Sequence, residues 1–556
     1  MDIGEMQRKL SLWAEQDPGR KFYGLFDLIC HLDWLRLAGD YVAQNAGSKT
    51  AGCDGIAIGE FEQDREGNLR RLHESLQSGT FEACPVRRVY IPKANGKVRP
   101  LGIPTIRDRV VQEAVRMALE PIFEADFSQH SFGFRPNRCT MDAVSHLRNH
   151  ARNGSWYFWA IEGDIAAYFD TICHRKLLKL LRRRVQDERL LDLIWKFLRA
   201  GVMERKLFKE TTLGTPQGGI VSPLLANVYL HELDKYMERY TGLSASQKAR
   251  RRWQGQANYA YARYADDFVI LCNGTKDQAL ALREDVRQFL TSSLHLTLSM
   301  EKTKVTHLND GFDFLGFHLQ RARGQQGLVT KFTISAKAKE RHRGILRAAT
   351  APSSHQDSLA TKIPALNRII CGWCRYFQYT SKAQSQFARL DHETFWLVAH
   401  WLGRKHRLAM PAVLARYYSK GRGSTLTLGE GKVWLLKHTS TKARRYRGSP
   451  FKPNPYTTQE VTIQREELPD DHPWLGTEAR PGMTDLRPRV LERDGYRCAL
   501  CQEPVTNVTA QVDHLRPMSS FKRPVDANHL DNLQTLCVSC HAWKTEYDRQ
   551  RESRMR

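Results

Sequence analysis

The stretch ARYADDFVILC, Ala262 to Cys272, sets two adjacent carboxylates, Asp266 and Asp267, inside an otherwise apolar run. Tyr264, Phe268, Val269, Ile270 and Leu271 have the composition of a buried β-strand. A buried aspartate is costly unless it is paired or bound to a metal. Neighbouring residues of a regular strand point to opposite faces, so both carboxylates can serve one centre only where the strand ends or turns. The segment therefore predicts a β-hairpin carrying both aspartates at its tip; an ordinary turn at a strand end is the bland alternative. A second aromatic and β-branched run, YFWAIEGDIAAYFDTI, delivers Asp164 at its end. Three carboxylates on neighbouring strand ends make a site for two Mg²⁺ ions. Mg²⁺ prefers hard oxygen ligands, and a metal pair stabilises both the attacking and the leaving oxygen of an in-line displacement on phosphate.

The rest of the chain must accommodate that centre. Its 556 residues are enough for several domains. Lys and Arg number 85 against 60 Asp and Glu, a net charge of +25, which suits a polyanionic partner. A solvated basic surface, or attraction to anionic lipid, is the alternative. No stretch approaches the ~18–20 consecutive apolar residues of a membrane span, and the start, MDIGEMQRKL, lacks the apolar core of a signal peptide. The expectation is a soluble cytoplasmic protein without a membrane partner, from a bacterium or else an organelle. Of twelve cysteines, eight are scattered between Cys30 and Cys374, and the other four form two tight pairs, Cys498/Cys501 and Cys537/Cys540. In a reducing compartment such pairs point to a metal site.

Several blocks appear in one order: VRRVYIPKANGKVRPLGIPTIRDRVVQEAV, HSFGFRPNRCTMDAV, GDIAAYFDTI, GTPQGGIVSPLLANVYLHELD, YARYADDFVIL and EKTKVTHLNDGFDFLGFHL. Together they resemble the reverse transcriptases encoded by group II introns. Farther on, LNRIICGWCRYFQYT resembles the thumb, or maturase X, domain of those proteins. Its CGWC invites a thioredoxin reading, but continuously helical flanks make Cys371 and Cys374 packing residues instead. Basic residues beside aromatics in these helices suit structured RNA or a duplex, and a helical bundle with a basic outer face is the alternative. The last block, CALC, QVDHLRPM and HLDNLQTLCVSCHAWKT, resembles the HNH endonucleases.

The resemblance implies a multidomain α+β protein. Residues 1–330 would form the fingers and palm of a right-hand polymerase, and 331–436 an α-helical thumb/maturase domain. Residues 437–485, rich in Pro, Gly and charge, read as a poorly packed connector or a small accessory domain, with a possible DNA-binding role by location. Residues 486–556 would be a ββα-metal HNH module. In the polymerase site the resemblance makes Asp164, Asp266 and Asp267 the Mg²⁺ ligands. It places Lys97 and Arg99, with Lys93 less directly, on the incoming triphosphate, and Gln217 against the nucleotide. Phe169 takes the place of the aromatic gate that excludes a ribose 2′-OH, the backbone amides of Ala167 and Tyr168 touch the phosphates, and Lys302 is a candidate general acid. Asn137 and Cys139 stand where Gly and Ser are usual. In the nuclease site Asp513 and His541 would hold one divalent metal, His514 would be the general base, and Asn532 would orient the loop or the base. Cys498, Cys501, Cys537 and Cys540 would fold the module through a structural Zn²⁺.

The implied function is that of a group II intron-encoded protein. It copies an RNA template from a DNA primer using dNTPs, binds its intron RNA to assist splicing, and nicks a double-stranded DNA target to prime synthesis. Two alternatives remain at this level: a reverse transcriptase of a host-defence or diversity-generating system, and an RNA-binding splicing cofactor with vestigial enzymes.

Overall fold

Alternating side chains along three strands organise the centre of the molecule. The computed structural model describes residues 1–92, 98–151, 157–204, 207–209, 214, 218–324, 327–420, 426–431, 433–449, 451–458, 483–506, 510–516, 521, 527–537, 540–541 and 544. A four-stranded antiparallel sheet runs in the order Tyr259–Tyr264, Asp267–Cys272, Trp159–Asp164, Lys304–His307. Ile161, Tyr259, Tyr261, Phe268, Ile270 and Cys272 enter one buried cluster, whereas Ala160, Ala260, Ala262, Val269 and Leu271 enter another. Period-two alternation with both faces apolar is what a strand covered on both sides requires, and it accounts for the unbroken run FVILC.

The first cluster joins that sheet to the helices Ser222–Thr241 and Lys276–Leu294 and to an N-terminal helical layer built around Ile106–Asp126. Trp34 is fully buried there and donates from its indole nitrogen to the Ala114 carbonyl at 2.9 Å. A second sheet pairs Val86–Pro92 antiparallel with Val98–Ile103 and adds the short strands Val202–Glu204 and Leu207–Lys209.

The second cluster extends from the small alanines of the central sheet into the helices Ala336–Ala349, Leu359–Phe377 and Ala383–His406 through Leu346, Ile363, Leu366, Ile370, Phe387 and Trp401. The hairpin strand Gly327–Ile334 runs across the sequence-based division at residue 330, and the first of these helices starts at Ala336. The region expected to be helical also carries three short strands, Tyr418–Lys420, Leu426–Glu430 and Val433–Trp434. Cys371 and Cys374 are buried in Leu359–Phe377, as packing residues are. The segment around Arg250 is the exposed helix Ala245–Trp253, opened by a Ser244–Gln247 capping box.

Of the stretch 437–485, residues 437–449 and 451–458 dock on the body of the molecule and are not poorly packed; residues 450 and 459–482 lie outside the described residues. The chain returns over the body of the molecule as a strap. His438 bonds Asp391 at 3.0 Å and the Arg444 amide donates to the Gln378 carbonyl at 3.0 Å. Tyr446 then donates to the fully buried Asp142 at 2.5 Å, which also takes Lys452 at 2.9 Å. Farther on, Asn454 donates to Ser11 at 2.8 Å and Tyr456 donates to Glu120 at 2.6 Å. Three aromatic or amide anchors on polar partners far away in sequence hold what composition alone marks as loop. Among the described residues no helix is long and apolar enough to cross a membrane.

The strap makes a prediction. Tyr446→Phe deprives a buried carboxylate oxygen of a donor and is expected to lower the unfolding free energy by about 1–2 kcal/mol. Urea denaturation of both proteins measures it, and an unchanged midpoint would mean that the strap is undocked in solution.

Candidate active sites

The predicted hairpin is present. Tyr259–Tyr264 and Asp267–Cys272 pair antiparallel, and Ala265 turns the chain at φ +58°, leaving Asp266 and Asp267 at the tip. Asp164 ends the neighbouring strand directly opposite Asp267. The three carboxylates therefore come together from two strands.

Their electrostatics follow from this crowding. Asp267 keeps solvent contact, yet its carboxyl is pushed up to about 7, first by desolvation in the cleft and then by the charges of Asp266 and Asp164. Its access to water weakens the first cause, so the firm part is the like charge beside it. Asp266 is raised first by desolvation and then by the charge of Asp164. Lys302 and Arg99 pull both in the opposite direction. Lys302 bonds Asp164 at 2.8 Å, and that bond raises the lysine's own pKa. Arg99 lies exposed at the start of Val98–Ile103, paired in register with Ile91. Lys93, Lys97 and Gln217 lie outside the described residues. The donor set is oxygen only, carries three formal negative charges and is under-compensated by cations, which suits hard divalent ions.

A buried network behind the turn went unnoticed in the sequence. Arg263 and Asp234 are both fully buried and joined by two bonds, 2.7 Å from Nε to Oδ1 and 2.6 Å from the guanidinium to Oδ2. Arg263 also donates to Asn227 at 3.0 Å, to Ser131 at 2.7 Å and to the Ala265 carbonyl at 2.9 Å. Although burial disfavours its charge, Arg263 holds the Asp234 carboxyl well below the usual range. The segment Ser131–Phe134 lies against the turn, and a Cβ on Gly133 would stand 2.4 Å from the Ala265 amide nitrogen. Only glycine allows that approach. Asn137, standing where Gly is usual, has φ +57°, a region that Asn tolerates better than most residues.

Ala167 adopts φ +47° and leads into the short helix Tyr168–Thr171. Tyr168 is buried and donates its hydroxyl to the Ala226 carbonyl at 2.6 Å. Phe169, partly exposed, lies edge-on to Tyr168 with ring centroids 5.4 Å apart.

The C-terminal module has its own small core. Ala510–His514 pairs antiparallel with Leu533–Cys537, and the helix Met483–Arg493 covers them with Val490 and Leu491. Asp513 is buried, 3.9 Å from His541 Nε2 and 3.3 Å from Lys544 Nζ. An oxygen and an imidazole nitrogen side by side are donors that fit one divalent ion. His514 ends its strand, and its Nε2 lies 2.7 Å from Asn528 Oδ1. Asn528, not singled out in the sequence, is thus the amide at the candidate base. Asn532 instead ties the loop, accepting from the Arg516 amide at 3.0 Å and donating to the Ala527 carbonyl at 2.9 Å. The signal was present but ambiguous: two asparagines stand four residues apart in ANHLDN.

The sulfurs of Cys498, Cys501, Cys537 and Cys540 all lie within 4.8 Å of one another. The Cys501 and Cys537 sulfurs are 3.7 Å apart. A tetrahedron of sulfurs about 2.3 Å from zinc has edges of about 3.8 Å, so this set fits Zn²⁺.

Comparison with known proteins agrees with the geometry. Residues 91–319 match the model of reverse transcriptase (RNA-dependent DNA polymerase), 339–418 the group II intron maturase-specific domain and 498–546 the HNH endonuclease. Protein YkfC of Escherichia coli is 42% identical over 369 residues, covering 63% of this chain and 96% of that protein. The group II intron-encoded protein LtrA of Lactococcus lactis is 33% identical over 382 residues, 60% of this chain and 63% of LtrA. An uncharacterized 91 kDa protein in a cob intron of Schizosaccharomyces pombe is 34% identical over 344 residues, 53% of this chain and 41% of that protein. The match thus spans less than two thirds of the last two relatives. With reverse transcriptase, maturase-specific and HNH endonuclease domains in one chain, this protein belongs to the family of group II intron-encoded reverse transcriptase–maturases.

Proposed function

We propose that this chain copies RNA into DNA, binds the intron RNA that encodes it to assist splicing, and nicks a double-stranded DNA target to supply the primer. The observation that carries the reading is the convergence of Asp164, Asp266 and Asp267 at two adjacent strand ends, in a chain that also holds a maturase-specific domain and an HNH module. The central sheet serves as palm, the sheet of Val86–Pro92 and Val98–Ile103 with the N-terminal helices as fingers, and the helices from Ala336 as thumb. Residues 1–330, 331–436, 437–485 and 486–556 remain the working division, with the first boundary best drawn after Ile334.

Asp164, Asp266 and Asp267 would hold two Mg²⁺ ions, which supply charge stabilisation to the attacking 3′-oxygen and the leaving pyrophosphate. Arg99, joined by Lys97, binds the triphosphate, since phosphate wants cations and Arg adds bidentate geometry. The amides of Ala167 and Tyr168 would meet phosphate oxygens, Gln217 would contact the nucleotide, and Phe169 would stand under its sugar, where a 2′-OH would collide. Lys302 is a poorer acid than a free lysine while it bonds Asp164, which favours a structural counter-charge over proton donation. In the nuclease module Asp513 and His541 would hold one divalent metal. His514 accepts the proton of the attacking water, with Asn528 fixing its ring and Asn532 its loop. The four cysteines hold Zn²⁺ as a structural ion.

Three measurements test this. Asp266→Asn is expected to reduce RNA-templated primer extension to background while leaving DNA nicking intact, and full extension by the variant would end the polymerase assignment. His514→Ala is expected to slow nicking roughly 10²–10⁴-fold with extension preserved; equal nicking would remove His514 from the chemistry. The third reads metal binding without activity. A carboxyl raised from 3.8 to about 7 in the folded state contributes stability that is fully present below the lower value and lost as pH rises through the upper one. In Mg²⁺-free buffer Asp267→Asn should therefore melt above the parent protein at pH 8, with the gap closing toward pH 5. Adding Mg²⁺ at pH 8 should raise the parent's melting temperature more than the variant's. Equal responses would place the metal elsewhere.

A further inference from the structure

Phe134 is a large aromatic that is 51% exposed and held at φ +57°. Left-handed backbone is strained for a bulky residue and persists only where the surroundings impose it. Both neighbours are clamped. The Gly133 carbonyl accepts from Asn227 at 2.9 Å. Arg135, itself buried, bonds Glu124 at 2.7 Å and the Ser128 and Ser131 carbonyls at 2.5 and 2.8 Å. The backbone strain is therefore sustained, yet the side chain it aims enters neither hydrophobic cluster. Its stacking partner is Phe169, edge-on, with ring centroids 6.4 Å apart and planes at 79°.

That contact gives Phe169 a second aromatic neighbour. Tyr168, pinned by its hydroxyl, lies edge-on to Phe169, and Phe134 lies edge-on to it as well. An aromatic gate rejects a ribose hydroxyl only if its ring cannot swing away when the hydroxyl arrives. The geometry points to Phe134 as a specificity-determining residue, a positioning residue that holds the Phe169 ring in place and so sets the discrimination between deoxyribonucleotides and ribonucleotides. This rests on the reading of Phe169 as the gate.

An edge-to-face pair of this kind corresponds to roughly a 3- to 10-fold effect. Single-nucleotide incorporation by the full-length protein on an RNA template gives the ratio of kcat/KM for a dNTP to that for the matching rNTP. Phe134→Ala is expected to lower this ratio about 3- to 10-fold, chiefly through a lower KM for the rNTP. Phe169→Val should lower it further, and adding Phe134→Ala to Phe169→Val should change nothing more. Phe134→Gly removes the ring and relieves the strained φ, so it should give the same loss of discrimination in a protein whose melting temperature has not fallen. An unchanged ratio in Phe134→Ala beside a relaxed Phe169→Val would overturn this inference alone, as would independent effects that multiply in the double variant. If Phe169→Val leaves the ratio unchanged, the gate reading fails and this inference fails with it.

Discussion

The buried pair of Arg263 and Asp234 underlies the geometry of the turn that carries Asp266 and Asp267. Removing two charges from water costs several kcal/mol for each ion, and attraction offsets it only if the remaining donors and acceptors are also satisfied. Here the Asp234 carboxylate takes Arg263 and the Tyr261 hydroxyl, the latter at 2.9 Å, while Arg263 spends its other donors on Asn227, Ser131 and the Ala265 carbonyl. That last bond ties the charge pair to the turn carrying Asp266. Losing either partner would strand a charge at a cost of about 3–5 kcal/mol, and the turn would lose its anchor. The residues come from three separate stretches: Ser131 in HSFGFRP, Asn227 and Asp234 in NVYLHELD, and Arg263 in RYADD. Blocks that look like independent signatures along the chain are one hydrogen-bonded unit in space.

This explains what could be read from the sequence and what could not. The hairpin was legible because strand periodicity and the cost of burying aspartate are local facts. The clustering of the four cysteines was legible because metal ligation has its own spacing. The Arg263–Asp234 bond was not, since nothing marks an arginine within an apolar strand as the partner of an aspartate 29 residues earlier. The strap was misread for a related reason. Pro, Gly and charge predict loop, and loop it is, but composition does not show that Tyr446 and Tyr456 find buried carboxylates more than 300 residues away. Asn528 and Asn532 show the limit of motif matching, because two like residues one helical turn apart in sequence divide one expected role between them.

The central sheet also joins regions that the family models separate. Ala160, Val269 and Leu271 share a buried cluster with Ile363, Phe387 and Trp401, which lie within the maturase-specific match. Among the described residues no hydrophobic boundary runs between the reverse transcriptase region and the helices after it. The strap adds polar ties to the same body, at Asp391, Asp142 and Glu120. Burial on both faces of one sheet thus makes the turn, its supporting helices and the maturase-specific helices parts of one packed unit.

A packed and strongly bonded support is what allows the front of the turn to be unfavourable. Asp164, Asp266 and Asp267 bring three carboxylates together with Lys302 bonded to only one of them, and the carboxyls of Asp266 and Asp267 are raised first by desolvation and then by the neighbouring negative charge. Ala167 and Ala265, flanking the same site, occupy left-handed backbone that costs of order 1–3 kcal/mol each. Such strain survives only where neighbouring interactions over-determine it. The buried ion pair supplies that excess at Ala265, since its guanidinium fixes the carbonyl of the strained residue itself. The centre is therefore built in two layers: a rear layer in which the Arg263–Asp234 pair is matched, and a front layer in which negative charge is left uncompensated.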